Sequence, residues 1–233
     1  MRYAALVVCI VIGIGAAGVA QHQYAFYYDL SGGQDLMINM MNTMEESSAY
    51  LIEVYDAWGN LLWQKTGELA AYEAEFYKLG EFVAAGDTNW GVTTVASEEQ
   101  LVIGLEYLAG GELVSIDNVS QEVPELEGGV PYWLGAYYTQ AEGLSTGVII
   151  MNPHDEATSV NVSLRNPNGA LLYSQDIDLA PYESEYLDLD KVVGQGGLIW
   201  GLVDVQMQEN AVVVAVEYYG ERLEVDNITE YYF

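Results

Sequence analysis

Paired carboxylates are the first residues in this chain that could do chemistry. Glu73 and Glu75, and again Glu183 and Glu185, are spaced two apart. On a β-strand that spacing puts both side chains on one face, and two acids across a scissile bond are what glycoside hydrolysis uses. The pair recurs at the same place in two halves of the chain, inside alternating polar and apolar stretches. That fits an outward strand face better than one active site. Histidine, the commonest general base, occurs twice: His22 near the N-terminus, and His154 beside Asp155 in a turn, where it reads as a solvated residue. No G-x-S-x-G, H-E-x-x-H or P-loop pattern is present. Cys9 is the only cysteine and lies in an N-terminal apolar run, so residues 21–233 carry no thiol nucleophile or thiolate ligand. No catalytic residue and no cofactor is assigned, and the expectation is a protein that is not an enzyme. An exported hydrolase working through the acid pairs is kept as one alternative.

Calcium needs oxygen ligands converging from turns. Asp117-Asn118 and Asp226-Asn227 match between the halves, and 87–89 and 188–190 add oxygens, but no dedicated spacing such as an EF-hand loop occurs. Calcium is therefore a candidate ligand without committed residues. Asn118-Val119-Ser120, Asn161-Val162-Ser163 and Asn227-Ile228-Thr229 fit the N-glycosylation pattern. Asn118 and Asn227, at equivalent places, are the candidate acceptors, whereas Asn161 falls in mid-strand. The remaining candidates are aromatic: Tyr24, Phe26, Tyr27, Tyr28, Tyr132, Trp133, Tyr137, Tyr138, Tyr231, Tyr232 and Phe233 cluster at module edges and chain ends. Tyrosine and tryptophan suit interfaces, so these read either as packing between two modules or as contacts with another subunit or a glycan. Trp90 and Trp200 also match, each followed by glycine, and read as packing residues.

What positions these residues is a repeat. Shifted by 110, Met41-Asn42 meets Met151-Asn152, Gly59-Asn60-Leu61-Leu62-Trp63 meets Gly169-Ala170-Leu171-Leu172-Tyr173, 69–76 meets 179–186, and Trp90-Gly91 meets Trp200-Gly201. Small slips of one residue follow, as turns allow. The period is far longer than a solenoid or propeller unit and is the size of a whole immunoglobulin-type sandwich. Strands of five to seven residues alternate with turn signals such as Asn166-Pro167-Asn168-Gly169, and no 3.6-residue period is sustained beyond residue 20. The fold class is all-β: two tandem immunoglobulin-like antiparallel β-sandwich domains, 21–121 and 132–233, each with its own closed core. A Pro- and Gly-rich linker, 122–131, joins them. Strands of five to seven are short for a membrane barrel, which needs about 9 to 11.

Residues 1–20 read as a signal peptide. Arg2 precedes an uncharged run over 4–19, and Gly18 and Ala20 supply small residues before a cut at Gln21. The whole chain carries 35 acids against 6 bases, a net charge of −29. That balance excludes nucleic acid as a partner, disfavours anionic lipid, and leaves solubility in salt, cations or a basic partner as reasons for the acidity. No membrane contact is expected once the signal is removed.

The segments Tyr137-Tyr138, then Ser145-Thr146-Gly147-Val148-Ile149-Ile150-Met151-Asn152-Pro153, then Ala157-Thr158-Ser159-Val160-Asn161-Val162 with Asn168-Gly169, resemble Ig-like β-sandwich repeats of bacterial secreted and cell-surface proteins of unassigned function. The first copy departs from the pattern, with Met44-Glu45 in place of the proline-led turn. The resemblance implies the fold and an extracellular or cell-surface location, and it carries no catalytic residue. The functional expectation is an exported structural or adhesive building block of the cell surface, an appendage or a filament, with itself, other surface proteins or glycans as partners. The alternative is a carbohydrate- or protein-binding module, which predicts an exposed aromatic platform in one copy that the other lacks.

Overall fold

The computed structural model describes residues 21–84, 89–119, 122–124, 126, 130–141, 143–193, 199–207, 209–220, 223–228 and 231–232. The proposed signal peptide, parts of the linker, Ser120, Thr229 and Phe233 lie outside the described residues. The first half folds as β1 (His22–Asp29), β2 (Gln34–Asn42), β3 (Ser48–Asp56), β4 (Leu61–Leu69), β5 (Ala74–Lys78), β6 (Trp90–Ser97), β7 (Leu101–Ala109) and β8 (Glu112–Val119). The second repeats it with β9 (Tyr132–Gln140), β10 (Ser145–Met151), β11 (Thr158–Arg165), β12 (Leu171–Leu179), β13 (Ser184–Asp188), a single helical turn α1 (Leu189–Val193), β14 (Ile199–Met207), β15 (Val213–Tyr219), β16 (Leu223–Ile228) and the short β17 (Tyr231–Tyr232).

Every strand pairing is antiparallel, and the strands form four sheets. Sheet A has the order β5-β2-β7-β8 and sheet B the order β1-β6-β3-β4. Their counterparts are sheet C, β13-β10-β15-β16, and sheet D, β12-β11-β14-β9-β17. Sheets A and C are thus equivalent, as are B and D, with β17 an addition to D. Several strands reach nine residues, longer than the five to seven the turn signals imply. Strand length therefore says nothing against a membrane barrel. The topology does, because the strands form four separate sheets instead of one closed ring.

The repeated residues explain the repeated turns. Asn42 and Asn152 are fully buried and staple the loop that follows them. The Asn42 amide donates to the carbonyls of Glu46, Leu69 and Ala70, and the Asn152 amide to those of Glu156 and Ala180. Asp56 and Asn166 cap the β3–β4 and β11–β12 turns by accepting backbone N–H groups two and four residues on. Tyr72 and Tyr182 both adopt positive φ, 61° and 58°, a conformation uncommon outside glycine.

The cores depart from the expectation of two closed units. One apolar cluster fills the space between C and D, with Val148, Ile150, Val214 and Val216 from C and Leu134, Tyr138, Val162 and Val203 from D. The other begins between A and B, with Leu36, Ile38, Ile103 and Leu105 facing Tyr24, Phe26, Ile52 and Val95, but it continues through B to Ile149, Met151, Val213 and Ala215 of sheet C. Alternate residues of β10 and β15 therefore belong to different cores. Strands β1 and β6 of sheet B and β10 and β15 of sheet C are buried on both faces, so B lies on C between the A–B and C–D sandwiches, while A and C also meet along the edges of β8 and β16. Such strands read as continuous apolar runs rather than alternating ones, which is what 24–28, 147–151 and 211–216 are. The linker seals the seam: Val123 packs on both cores and its N–H donates to the Gln23 carbonyl at 2.7 Å.

Candidate interaction surfaces

The acid pairs do not share a strand face. Glu73 and Glu183 sit in the turns ahead of β5 and β13, where each carboxylate accepts the N–H of the residue three back, Ala70 or Ala180, at 2.7 Å. Glu75 lies on β5 and accepts the hydroxyls of Tyr50 and Tyr77, the bond to Tyr50 above all holding its pKa below the ordinary value. These acids tie down turns and tyrosines. His154 is partly buried instead of solvated: a ring nitrogen lies 2.9 Å from the Ala211 carbonyl, and desolvation lowers its pKa. His22 pairs with Glu122 at 2.8 Å. Among the described residues, no group of three or more His, Cys, Asp or Glu is placed to hold a metal ion.

The two candidate glycosylation sites have different environments. Asn118 is exposed on β8, whereas Asn227 is buried and fully engaged. The Asn227 Oδ1 accepts the Tyr27 N–H at 2.8 Å, and its amide donates to the Tyr107 hydroxyl and to Asp117 Oδ2. Burial and these bonds close Asn227 to modification, and the residue serves instead as a bolt between the modules. Asn161, the mid-strand sequon, donates to Asp176.

The N-terminal aromatic cluster is internal. Tyr24, Phe26 and Tyr28 point between A and B, where the Tyr24 hydroxyl accepts the Leu101 N–H. Ala25 and Tyr27 point the other way, onto sheet C, so these aromatics are not available to another subunit. On the B–C contact Tyr27 lies against Trp90, whose ring meets Tyr186 edge-on at 6.2 Å. Tyr55 stacks flat on Tyr182 at 3.9 Å. The β3–β4 turn is pinned as well, the Ala57 carbonyl accepting the Ser184 N–H at 3.0 Å. Gly59, with φ of 79°, lets the Pro181 carbonyl approach within 2.3 Å of where a Cβ would stand.

One acid is trapped in this contact. Glu217 of β15 is 1% exposed, accepts the Tyr219 hydroxyl through Oε2, and has no hydrogen-bond partner at Oε1. Burial raises its pKa to about 7, the hydroxyls of Tyr219 and Tyr27 offset part of the rise, and the Asp29 carboxylate adds to it. The seam is finished by side chains standing in for a missing strand. Ser115 Oγ accepts the Val225 N–H and donates to the Val225 carbonyl, and Asp117 accepts the Asn227 N–H at 2.7 Å. These two residues of β8 thereby satisfy the open edge of β16. Neither Glu217 nor Ser115 was signalled by the sequence, since nothing in a local pattern reports an acid facing another module.

Module 2 presents the same sheet face to solvent. Register sets the equivalence: Tyr27 lies opposite Val92, and Tyr137 opposite Leu202; Ala25 lies opposite Thr94, and Gly135 opposite Asp204. Tyr27 is 2% exposed and Tyr137 is 52% exposed. Trp200 and Leu202 are also exposed, unlike the packing role expected for Trp200 from its match to Trp90. Trp133, Gly135, Tyr137 and Leu202 line a shallow hollow on this face, with Asp204 beside it. Desolvation raises the Asp204 pKa and the Arg165 charge lowers it. Tyr138 turns into the C–D core, Tyr132 and Trp133 are half-buried on β9, and β17 pairs Tyr231 with Leu134 and Tyr232 with Trp133. The Tyr231 hydroxyl donates to the Val212 carbonyl.

No family model matches the chain, and no curated protein does. Among solved structures it is similar to Thermotoga maritima 1070, at 15% identity over 44% of this chain and 95% of that one, with a TM-score of 0.34. It is similar to Bacteroides uniformis β-glucuronidase 2, at 15% identity over 88% of this chain and 25% of that one, TM-score 0.19. A β-glycosidase from Bacteroides vulgatus follows at 9% identity over 88% and 24%, TM-score 0.19. The chain thus spans about a quarter of each glycosidase.

Proposed function

We propose that this chain is an exported, non-enzymatic building block of the cell surface or of an extracellular appendage or filament. The observation that carries the reading is the four-layer body. Two modules are fused by a largely buried sheet-to-sheet contact, and the outermost sheets carry large apolar side chains in solvent. A stacked body of this kind holds two surfaces at a fixed separation, and contiguous exposed apolar residues mark contact sites. The acidic surface suits an exported protein that must stay soluble in salt. Glu73 and Glu183 cap the same turn in both copies and Glu75 accepts two tyrosine hydroxyls, which favours a structural role for these three acids.

Cell fractionation in the source organism, with mass spectrometry of the mature N-terminus, tests this. Retention in the surface fraction with a start at Gln21 supports it. Recovery only as a free monomer in the medium, or with residues 1–20 retained in the cell, overturns it.

A second reading, a glycan-binding module, is favoured by one observation: Tyr137 and Trp200 lie 6.3 Å apart on an exposed sheet face, while in module 1 their counterparts Tyr27 and Trp90 are buried and partly buried. Aromatic platforms of this kind suit sugar rings. Tryptophan fluorescence titrations with soluble oligosaccharides, on the wild type and on Trp200→Ala, test it.

A further inference from the structure

We infer that copies of this chain join end to end, the outer face of sheet D in one copy packing on the outer face of sheet A in the next by the operation that docks sheet B on sheet C within the chain. The inference deepens the building-block reading and rests on it.

The argument is positional. The B side of the internal contact is Ala25, Tyr27, Trp90 and Val92, and register makes Gly135, Tyr137, Trp200 and Leu202 their equivalents on D. The C side is Met151 opposite Val213, Ile149 opposite Ala215 and Tyr186, and Glu217 opposite Val225. On sheet A the same places hold Met41 opposite Val102, Asn39 opposite Gly104 and Phe76, and Glu106 opposite Ile116. Met151 and Val213 are buried, yet Met41 and Val102 are 42% and 53% exposed. Phe76 and Ile116 are 70% and 66% exposed, although Val225 in the place of Ile116 is buried. Sheet A therefore carries the apolar half of a contact that its equivalent, sheet C, has already made. Sheet D carries the other half.

Specific pairs follow. Trp200 of one copy meets Phe76 of the next as Trp90 meets Tyr186. Arg165, in the place of Tyr55, comes over Tyr72, in the place of Tyr182. A guanidinium on a tyrosine face replaces the internal ring stack. Tyr72 keeps the positive φ of Tyr182 and is exposed, so its ring is already presented.

A second copy is the occupant because the two free faces are the two halves of one interface, at opposite ends of one stack. The contact is heterologous, each copy keeps one free face of each kind, and such contacts propagate into rings or open filaments. Without the linker the contact is bimolecular and weaker than its internal counterpart. With a net charge of −29 per copy, added salt strengthens it by screening repulsion.

Sedimentation velocity over a concentration series, at low and high salt, tests this on the full chain and on the chain from Gln21, which lacks the apolar segment 4–19. Wild type is expected to form species beyond the dimer that grow with concentration and salt. Trp200→Asp and Val102→Asp alter exposed side chains, and circular dichroism melts should match wild type. Each alone is expected to weaken association more than about tenfold. Mixed, they are expected to form a one-to-one dimer and stop there, because only one intact D face and one intact A face remain to meet. A wild type that stays monomeric throughout overturns the inference, as does either variant associating alone like wild type, or a mixture that stays monomeric. A monomer that binds oligosaccharide through Tyr137 and Trp200 also overturns it and makes the face a glycan platform. A monomer retained at the cell surface sinks only this contact. Assembly in vitro with no surface retention sinks only the building-block reading.

Discussion

Tyr27 and Tyr137 hold the same position in two copies of one module, and their surroundings could hardly differ more. Tyr27 is covered by sheet C and bolted through its backbone N–H to Asn227, while Tyr137 stands in solvent. The same holds for Val213 against Val102 and for Gly59 against Gly169. A duplicated fold has therefore been used asymmetrically: one copy of each face is interior and the other is surface. Side-chain type alone does not decide which is which, because both copies kept apolar residues on that face.

The largest expected effect comes from the positions just compared. Tyr27→Ala should destabilise by about 3–5 kcal/mol, as removal of a large buried aromatic does. Tyr137→Ala should stay within about 0.5 kcal/mol, as surface changes do. Chemical denaturation of both variants reads the difference directly, and equal losses would mean that the modules are not docked as described. Next comes pH. Glu217 has a folded-state pKa of about 7, above its unfolded value of about 4.3. Its contribution is therefore fully present below about pH 4.3 and is lost as pH rises through about 7. Glu217→Gln should be more stable than wild type at pH 8–9 by roughly 3 kcal/mol and should converge with it near pH 4. Glu106→Gln, at the matching place on the open face, should shift stability by no more than about 0.5 kcal/mol. Parallel pH series on the two variants would expose any failure of that contrast.

Gly59 and Gly169 have φ of 79° and 78°. Alanine at either should cost about 1–2 kcal/mol for the left-handed backbone. Only Gly59→Ala also drives a Cβ into the Pro181 carbonyl, whereas Gly169 has nothing within 4 Å. The clash should add on the order of 1–3 kcal/mol, measurable as a lower melting temperature. The smallest expected effect is one in which the copies agree. Tyr28 and Tyr138 both bury a hydroxyl with no partner, so Tyr28→Phe and Tyr138→Phe should each be neutral or stabilising by up to about 1 kcal/mol. Destabilisation by either would mean that the hydroxyl has a partner, such as a buried water.

Much of the architecture was legible in the chain. The shift of 110 that aligns Asn42 with Asn152 and Gly59 with Gly169 found the two modules, because both pairs do the same local work. Local chemistry repeats, so local residues betray it. The layering was written less plainly. Tyr24-Ala25-Phe26-Tyr27-Tyr28 is apolar on both faces, the mark of a strand covered on both sides, yet the same run reads equally as an edge waiting for a partner. Glu73 and Glu183 look like strand residues until the turn geometry places them a step too early to share a face with Glu75 and Glu185. Asn227 fits a glycosylation sequon and is in fact a buried bolt, since a three-residue pattern holds no information about a tyrosine 200 positions away. Glu217 was invisible for the same reason.

The double burial of β1 and β6 in sheet B also bears on the order in which the protein comes into being. Synthesis delivers residues 21–121 first, and until 132–233 follow, Ala25, Tyr27 and Val92 have nothing to lie against. For that interval the first module is a sticky intermediate of the kind that chaperones shield. A ribosome stall or a truncation between the modules would leave that apolar sheet uncovered. The second module acts on the first as an intramolecular shield as well as a neighbour.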